Sequence, residues 1–159
     1  SGHIMRKQDH SNAFEVNKNV LVIFSAPSAF VSANWYTTKN MGSTWNYQTV
    51  HARGLLELKD ETHLRNLLTD LTLYFEKDLD APTQVKNLSK EYMEQNMKAI
   101  YSFDIVVNDL QHVFKLSQNR DEASHTNIQK ELNKGDAACK YMAAAMKAQS
   151  GPKDFHKDL

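Results

Sequence analysis

The chain has 159 residues, of which 19 are Lys or Arg, 19 are Asp or Glu and one is Cys. This length fits one domain, and the zero formal charge excludes a broad basic surface that binds nucleic acid mainly by neutralising phosphates. A single cysteine excludes an internal disulfide and a thiolate zinc site. No apolar run approaches the roughly 18 residues of a membrane span. The composition therefore indicates a globular domain and does not indicate which reaction or ligand it serves.

Three extended segments are predicted within residues 20–58. Residues 20–24 are continuously apolar, which predicts a strand covered on both faces, and Pro27 breaks or bulges it. Residues 30–31 resume the extended character. Residues 50–58 alternate between two faces and predict a half-buried strand, in which Gly54 indicates a bulge or the close approach of another group.

Four helices are predicted in the rest of the chain. Asp60 is the predicted N-cap of an amphipathic helix whose apolar positions recur at helical spacing as far as Phe75. Ser89 is predicted to cap a shorter second helix. A third helix contains Ile128 and Leu132, with a C-cap at Lys134-Gly135, and the Ala- and Met-rich stretch 137–148 predicts a fourth.

Between these helices lies one more segment with strand periodicity. Residues 101–107 alternate strictly between larger apolar and smaller or polar side chains. Asn108-Asp109 predicts a turn, and residues 113–116 are the predicted hairpin partner. The mixture of hairpin-type strands and helices predicts an α+β fold that is mainly β, an antiparallel sheet or barrel with flanking helices.

Generic catalytic and metal-binding motifs are missing from the sequence. It contains no P-loop, no Rossmann glycine pattern, no G-x-S-x-G and no H-E-x-x-H. The histidines are scattered without metal-ligand spacing, so we expect no metal site. Cys139 lies among alanines and is interpreted as a small buried hydrophobe, since nothing nearby would lower its pKa.

Two regions have compositions that suit a ligand. Residues 30–53 combine both tryptophans with several other rings and many short hydroxyl and amide side chains, which suits a flat heteroaromatic ligand. An aromatic barrel core with polar turns explains the same composition. Near the start, His3, Arg6 and Lys7 form a basic cluster that could hold a phosphate. The alternative is that these residues belong to an exposed chain terminus without a ligand.

Three stretches resemble one known family, the PaiB-like proteins. Residues 20–36 resemble its block VLxIFxGPHAYISPSWY, residues 44–54 resemble PTWNYxxVHxxG, and residues 115–120 match KLSQNR. Gly2-His3 and Arg6 resemble the GHxxRxNP segment that precedes the first block. Order and spacing agree across roughly residues 2–134.

The resemblance implies an FMN-binding split β-barrel and a homodimer with the flavin at the subunit interface. Relative to the family pattern the opening strands are absent, so the barrel is expected to be incomplete at the N-terminus and FMN affinity to fall if those strands carry part of the phosphate site. The motif His is Ser28 here. We expect a split-barrel domain over residues 1–134 and a helical extension with a polar tail over residues 135–159.

The implied function is that of an FMN-binding, flavoprotein-type transcriptional regulator in the cytoplasm, without membrane contact or direct nucleic-acid binding. A flavin-dependent oxidoreductase and a degenerate, cofactor-free interaction module are the alternatives, and no catalytic residue is evident. The implied cofactor-binding residues fall into three groups: phosphate contacts, the ring or ribityl environment, and a second polar cluster. They are His3, Arg6 and Lys7; Ser32, Trp35, Tyr36, Thr44, Trp45, Asn46 and His51; and Lys115, Ser117, Gln118 and Arg120.

Overall fold

A computed structural model of the chain describes residues 1–149. It contains five strands and five α-helices. The strands are β1 (Gly2–Met5), β2 (Asn19–Ser25), β3 (Ala29–Val31), β4 (Thr44–Lys59) and β5 (Ile100–Lys115). The helices are α1 (Asp9–Val16), α2 (Glu61–Glu76), α3 (Lys90–Met97), α4 (Glu122–Leu132) and α5 (Ala137–Ala148), with short 3-10 turns at Ala33–Trp35 and Val85–Asn87.

The strands form a sheet in the order β1-β5-β4-β2, and β3 pairs with β4. The β1–β5 and β3–β4 pairs are antiparallel. The predicted α+β class, an antiparallel sheet with flanking helices, is confirmed. The polar tail predicted after α5 lies outside the described residues.

The chain forms two compact units. The first unit comprises Ser1–Leu21 and Ala52–Asp109, and the second comprises Val22–His51 and the chain from Leu110 onward. In the first unit, Leu64 of α2 packs with Met93 and Met97 of α3. In the second unit, α4 and α5 pack on β3 around a core that includes Val31, Leu116, Ile128, Leu132 and Met142.

Local helix signals in the sequence correspond closely to the structure. The Asp60 carboxylate accepts a hydrogen bond from the backbone N–H of His63 at 2.8 Å and begins α2. Ser89 Oγ accepts from the N–H of Tyr92 at 3.2 Å and begins α3. Both predicted N-caps are confirmed, because capping satisfies donors within one turn of the same segment.

The predicted hairpin around Asn108-Asp109 is wrong. Residues 100–115 form one continuous strand, β5. Asp109 remains in the strand because its carboxylate meets the guanidinium of Arg53 on β4 at 3.2 Å. Aspartate favours turns, but the ion pair across the two strands stabilises Asp109 in the extended conformation.

The prediction that residues 20–24 are covered on both faces is also wrong for the single chain. Leu21 and Ile23 lie on the same face of β2 and are 45% and 55% exposed, whereas Phe24 lies on the opposite face and is 60% exposed. One face of an apolar strand is therefore open to solvent.

The close approach expected at Gly54 is confirmed. A Cβ on Gly54 would overlap the carbonyl oxygen of Val106 and lie 2.8 Å from Cγ2 of Ile105, both on β5. Strands β4 and β5 therefore come together here over a position with no side chain.

Two elements at the start of the chain had no counterpart in the sequence predictions. β1 pairs with β5 so that Gly2 lies opposite Phe103, and α1 begins with a reciprocal capping arrangement between Gln8 and Ser11. The ring of Phe14 on α1 lies 6.4 Å from that of Phe103. Within residues 1–149, no helix is long and apolar enough to cross a membrane.

Candidate functional site

The start of β4 places alternate residues of its Thr-Trp-Asn-Tyr motif on opposite faces of the sheet. Asn46 is fully buried and Thr44 half-buried, whereas Trp45 is 54% exposed. Trp45 lies opposite Phe30 of β3, and their rings meet edge to face with centroids 5.9 Å apart. This motif therefore supplies an interior polar group on one face and an exposed aromatic pair on the other.

The motif Lys-Leu-Ser-Gln-Asn-Arg ends β5 and forms the turn after it. Ser117 adopts the left-handed backbone conformation, with φ of 61°. The Gln118 side chain accepts from the backbone N–H of Leu116 at 2.7 Å and donates to the carbonyl of Phe114. Arg120 N–H donates to the Ser117 carbonyl at 3.1 Å, so the turn is held by its own residues.

A buried polar contact connects the two motifs. Ser117 Oγ donates to Oδ1 of Asn46 at 2.9 Å, and Nδ2 of Asn46 donates to the thioether of Met146 on α5 at 3.4 Å. Asn46 is 0% and Ser117 5% exposed. Because both side chains are used inside the second unit, they position the turn.

A groove of about 500 Å³ lies along the turn and is here called the turn groove. The residues that line it are Thr44, Val113, Phe114, Lys115, Ser117, Gln118, Asn119 and Arg120, of which Ser117 already donates its hydroxyl to Asn46. Its lining contains no acidic side chain. Lys115 Nζ donates to Thr44 Oγ1 at 2.5 Å, so a cation is already held at the groove.

Arg120 also contacts Tyr36, next to the groove. Its guanidinium carbon lies 4.3 Å from the centroid of the Tyr36 ring. Tyr36 is 5% exposed, and its hydroxyl is buried without a hydrogen-bond partner among the described residues. Stacking uses the flat face of the guanidinium, so it restricts the Arg120 side chain without using its N–H groups.

Three other predicted residues of the second unit, Ser32, Trp35 and His51, do not line the turn groove. Ser32 Oγ accepts from the N–H of Asn34 at 3.2 Å and caps the 3-10 turn. Trp35 is half-buried against the core, and His51 is half-buried on β4.

Next to this turn, Asp121 begins α4. Its carboxylate accepts hydrogen bonds from the side chain and backbone of Ser124 and from Thr37, and these bonds lower its pKa. The carboxylate therefore stays ionised and is committed to the α4 N-terminus.

The predicted phosphate residues lie in the first unit. Arg6 Nε donates to the carbonyl of Ile100 at 2.9 Å, and its guanidinium lies 4.0 Å from the Tyr101 ring centroid. Lys7 occupies a left-handed turn with φ of 60°, and His3 is exposed on β1. Arg6 thus attaches the end of β1 to β5.

Cys139 is partly exposed on α5, where a small buried hydrophobe was expected. Burial raises the pKa of its thiol, and so does the nearby Asp136 carboxylate. This supports the interpretation that Cys139 is not a nucleophile.

The sequence reasoning missed three residues of the turn groove: Val113, Phe114 and Asn119. Asn119 lies within the matched motif and could have been included on that ground. Val113 and Phe114 were predicted as part of a hairpin strand, and their apolar side chains carry no signal of a groove at a strand end.

Comparison with known proteins identifies the family. Residues 1–109 match a family described as "Putative FMN-binding domain". The chain therefore belongs to this family of FMN-binding domains, and the predicted PaiB-like membership is confirmed by the relatives below.

Two relatives cover most of the chain. It is 36% identical over 147 residues to "Protease synthase and sporulation protein PAI 2" of Bacillus subtilis (strain 168), covering 92% of this chain and 70% of that protein. It is 26% identical over 166 residues to "Uncharacterized protein AN0679" of Emericella nidulans, covering 94% of this chain and 66% of that protein. The chain thus spans about two thirds of the length of these relatives.

One solved structure resembles part of the chain. It is the crystal structure of "a putative 5-nitroimidazole antibiotic resistance protein" from Bacteroides thetaiotaomicron, with 13% identity and a TM-score of 0.48. The likeness covers 69% of this chain and 57% of that protein.

Proposed function

We propose that this chain binds FMN and that the turn groove holds the phosphate and ribityl end of the cofactor. The observation that carries this proposal is the donor set of the groove, two cations with hydroxyl and amide groups and no acidic lining. A phosphate monoester needs charge-assisted donors, and ribityl hydroxyls need short polar partners. Membership of an FMN-binding domain family supports the same cofactor.

Lys115 and Arg120 are the proposed phosphate contacts. Lys115 is exposed with its ammonium already near Thr44, and Arg120 is held by its stacking on Tyr36. Both cations are therefore partly ordered before a ligand arrives, which lowers the entropy cost of binding. Asn46 and Ser117 support the turn from within.

His3, Arg6 and Lys7 are the alternative phosphate contacts that the family resemblance implies. Arg6 uses its Nε–H on the Ile100 carbonyl and its ring face on Tyr101. The turn-groove proposal therefore assigns Arg6 a structural role at the β1–β5 pair.

The experiment is a titration of the purified chain with FMN and with riboflavin, followed by flavin fluorescence. The chain should prefer FMN, since riboflavin lacks the phosphate. Lys115→Gln and Arg120→Gln should each weaken FMN binding about tenfold or more, the loss of one charge-assisted hydrogen bond, and should leave riboflavin binding nearly unchanged. Lys39→Gln, an exposed cation of the second unit outside the groove, is the matched control.

The same titration separates the two phosphate assignments. If Arg6→Gln abolishes the preference for FMN while Lys115→Gln and Arg120→Gln do not, the phosphate lies at Arg6 and the turn-groove assignment is wrong. A chain that binds neither flavin refutes the FMN proposal and favours the cofactor-free interaction module.

We also propose that the chain forms a homodimer. Leu21 and Ile23 leave one face of the apolar strand β2 exposed in the single chain, and Phe24 is exposed on the other face. Residues 20–24 are apolar at every position, and an exposed apolar surface of this kind is typical of an interface with another protein chain. Sedimentation equilibrium should give a dimer that Ile23→Lys weakens; a monomer at micromolar concentration contradicts the proposal.

A regulatory role in the cytoplasm completes the proposal. The name of the Bacillus subtilis relative, "Protease synthase and sporulation protein PAI 2", refers to protease synthesis and sporulation and supports a regulatory role. The zero formal charge argues against direct DNA binding by this chain. A gel-shift with the purified chain alone should therefore show no complex at physiological salt.

A further inference from the structure

Besides the turn groove of the second unit, the protein has a cavity in the first unit, and none of the predicted flavin residues lines it. It has a volume of about 560 Å³ and lies between α2, α3 and the connection that joins them. This volume is typical of small-molecule sites. The cavity is here called the α2–α3 pocket.

The floor of the α2–α3 pocket is apolar and belongs to the core of the first unit. Val85, Leu88 and Met93 line the pocket, and the same residues pack in the cluster around Leu64 and Met97. Met93 is 5% exposed. A ligand body placed here would therefore cover apolar surface that is supported from below by packed side chains.

The connection between the helices forms a preorganised wall. Gln84 is 2% exposed, and its Nε2 donates to the carbonyl of Asp78 at 2.6 Å. Asn87 Nδ2 donates to the carbonyl of Ala81 at 2.8 Å. These carboxamides hold the segment in one conformation, so the pocket does not need to be assembled by a ligand.

Every charged side chain that lines the pocket is a cation, namely Arg65, Lys86 and Lys90. Each cation has an exposed acidic neighbour outside the lining: Arg65 is 4.0 Å from Glu61, Lys86 is 3.4 Å from Asp80 and Lys90 is 3.7 Å from Glu94. Such surface ion pairs contribute little. An anion at the mouth of the pocket can therefore replace them.

From the apolar floor and the cationic rim we infer that the α2–α3 pocket binds an amphipathic monoanion, a short aliphatic or aromatic acid. The apolar body lies on Val85, Leu88 and Met93, and the carboxylate lies among Arg65, Lys86 and Lys90. This site adds a small-molecule input to the first unit and does not depend on flavin binding.

The test uses octanoate and protein carrying 13C-labelled methionine methyl groups. Met93 lines the pocket, whereas Met41 and Met142 lie in the second unit and serve as internal references. Octanoate should shift the Met93 methyl signal saturably, with a dissociation constant in the millimolar range or below, and leave the references unchanged. 1-Octanol and octyltrimethylammonium should bind at least about tenfold more weakly.

A charge-reversed variant identifies the rim. Lys86→Glu combined with Lys90→Glu should weaken octanoate binding about tenfold or more. Lys39→Glu combined with Lys140→Glu makes the same change in net charge on exposed positions of the second unit and should have no effect. The Met97 methyl signal, from the buried core below the pocket, reports whether each variant remains folded.

Three results would overturn the inference. They are a Met93 signal that does not move with octanoate, equal binding of octanol, and unchanged affinity in the Lys86/Lys90 variant. Since FMN is absent from the experiment, any of these leaves the flavin proposal untouched, and failure of flavin binding leaves this one untouched.

Discussion

Replacing Asn46 with alanine tests whether the two sequence motifs are joined through the interior. Asn46 has no exposed surface, accepts a hydrogen bond from Ser117 Oγ at 2.9 Å and donates to Met146 Sδ at 3.4 Å. The substitution removes the carboxamide from a closed environment. It leaves Ser117 Oγ buried without its acceptor.

The expected magnitude follows from these contacts. A buried polar group left without its partner costs about 1–3 kcal/mol, and the space left by the carboxamide adds about 1 kcal/mol. The bond to the thioether is weak and adds little. Asn46→Ala should therefore lower the free energy of unfolding by about 2–4 kcal/mol.

Urea unfolding followed by far-ultraviolet circular dichroism measures this change. Ser117→Ala and the double variant complete a mutant cycle. The loss of unfolding free energy in the double variant should be about 1 kcal/mol smaller than the sum of the two single losses. Asn34→Ala, at an exposed position of the same unit, should change stability by less than about 0.5 kcal/mol. An Asn46→Ala loss no larger than that control, or strictly additive losses, would refute the argument.

Three further predictions concern the strand contact, a helix cap and a buried histidine. Gly54→Ala should destabilise the chain by about 2 kcal/mol or more, because its Cβ would overlap the carbonyl of Val106. Ser89→Ala should cost about 1 kcal/mol by removing the α3 N-cap. His125 is 8% exposed, burial lowers its pKa, and its Nδ1 lies 2.9 Å from Gln129 Nε2. The unfolded chain binds this proton first, so stability should fall as the pH drops below about 6.5, and His125→Gln should flatten that dependence.

Each of these three has a matched comparison in urea unfolding. Gly42→Ala, where a Cβ meets no atom within 4 Å, should be nearly neutral; an equal loss at both glycines contradicts the steric reason. Ser89→Thr keeps a capping hydroxyl and should retain most of the stability. For the histidine, an unchanged pH profile in His125→Gln would show that other groups cause the acid destabilisation.

Local signals predicted α2, α3, α4 and α5 and missed α1. Asp60 and Ser89 cap the helices they were expected to cap, because an N-cap depends on donors within one turn of the same segment. The hairpin at Asn108-Asp109 failed for the opposite reason. The partner that keeps Asp109 in a strand is Arg53, and a contact across 56 residues leaves no trace in local periodicity.

Several residues that the sequence predicted as cofactor contacts line the turn groove, but the sequence did not show which of them are buried. The motifs at residues 44–47 and 115–120 do meet within the second unit, through Asn46 and Ser117. Asn46 was predicted in the ring or ribityl environment and Ser117 in a second polar cluster; in the structure both are buried and their side chains are hydrogen-bonded to each other. A sequence motif shows that a residue matters, while burial decides whether it can contact a ligand or positions those that do.

From the sequence alone came the neutral, single-cysteine composition, the strand and helix periodicities and the family to which the chain belongs. Those depend on residue identity and on contacts within a few positions. The tertiary structure alone decided that β5 runs unbroken, that Leu21 and Ile23 leave an apolar face open, and that Thr44 lies beside Lys115 in the turn groove. These features depend on which distant segments pair, and that is settled by packing across the whole chain.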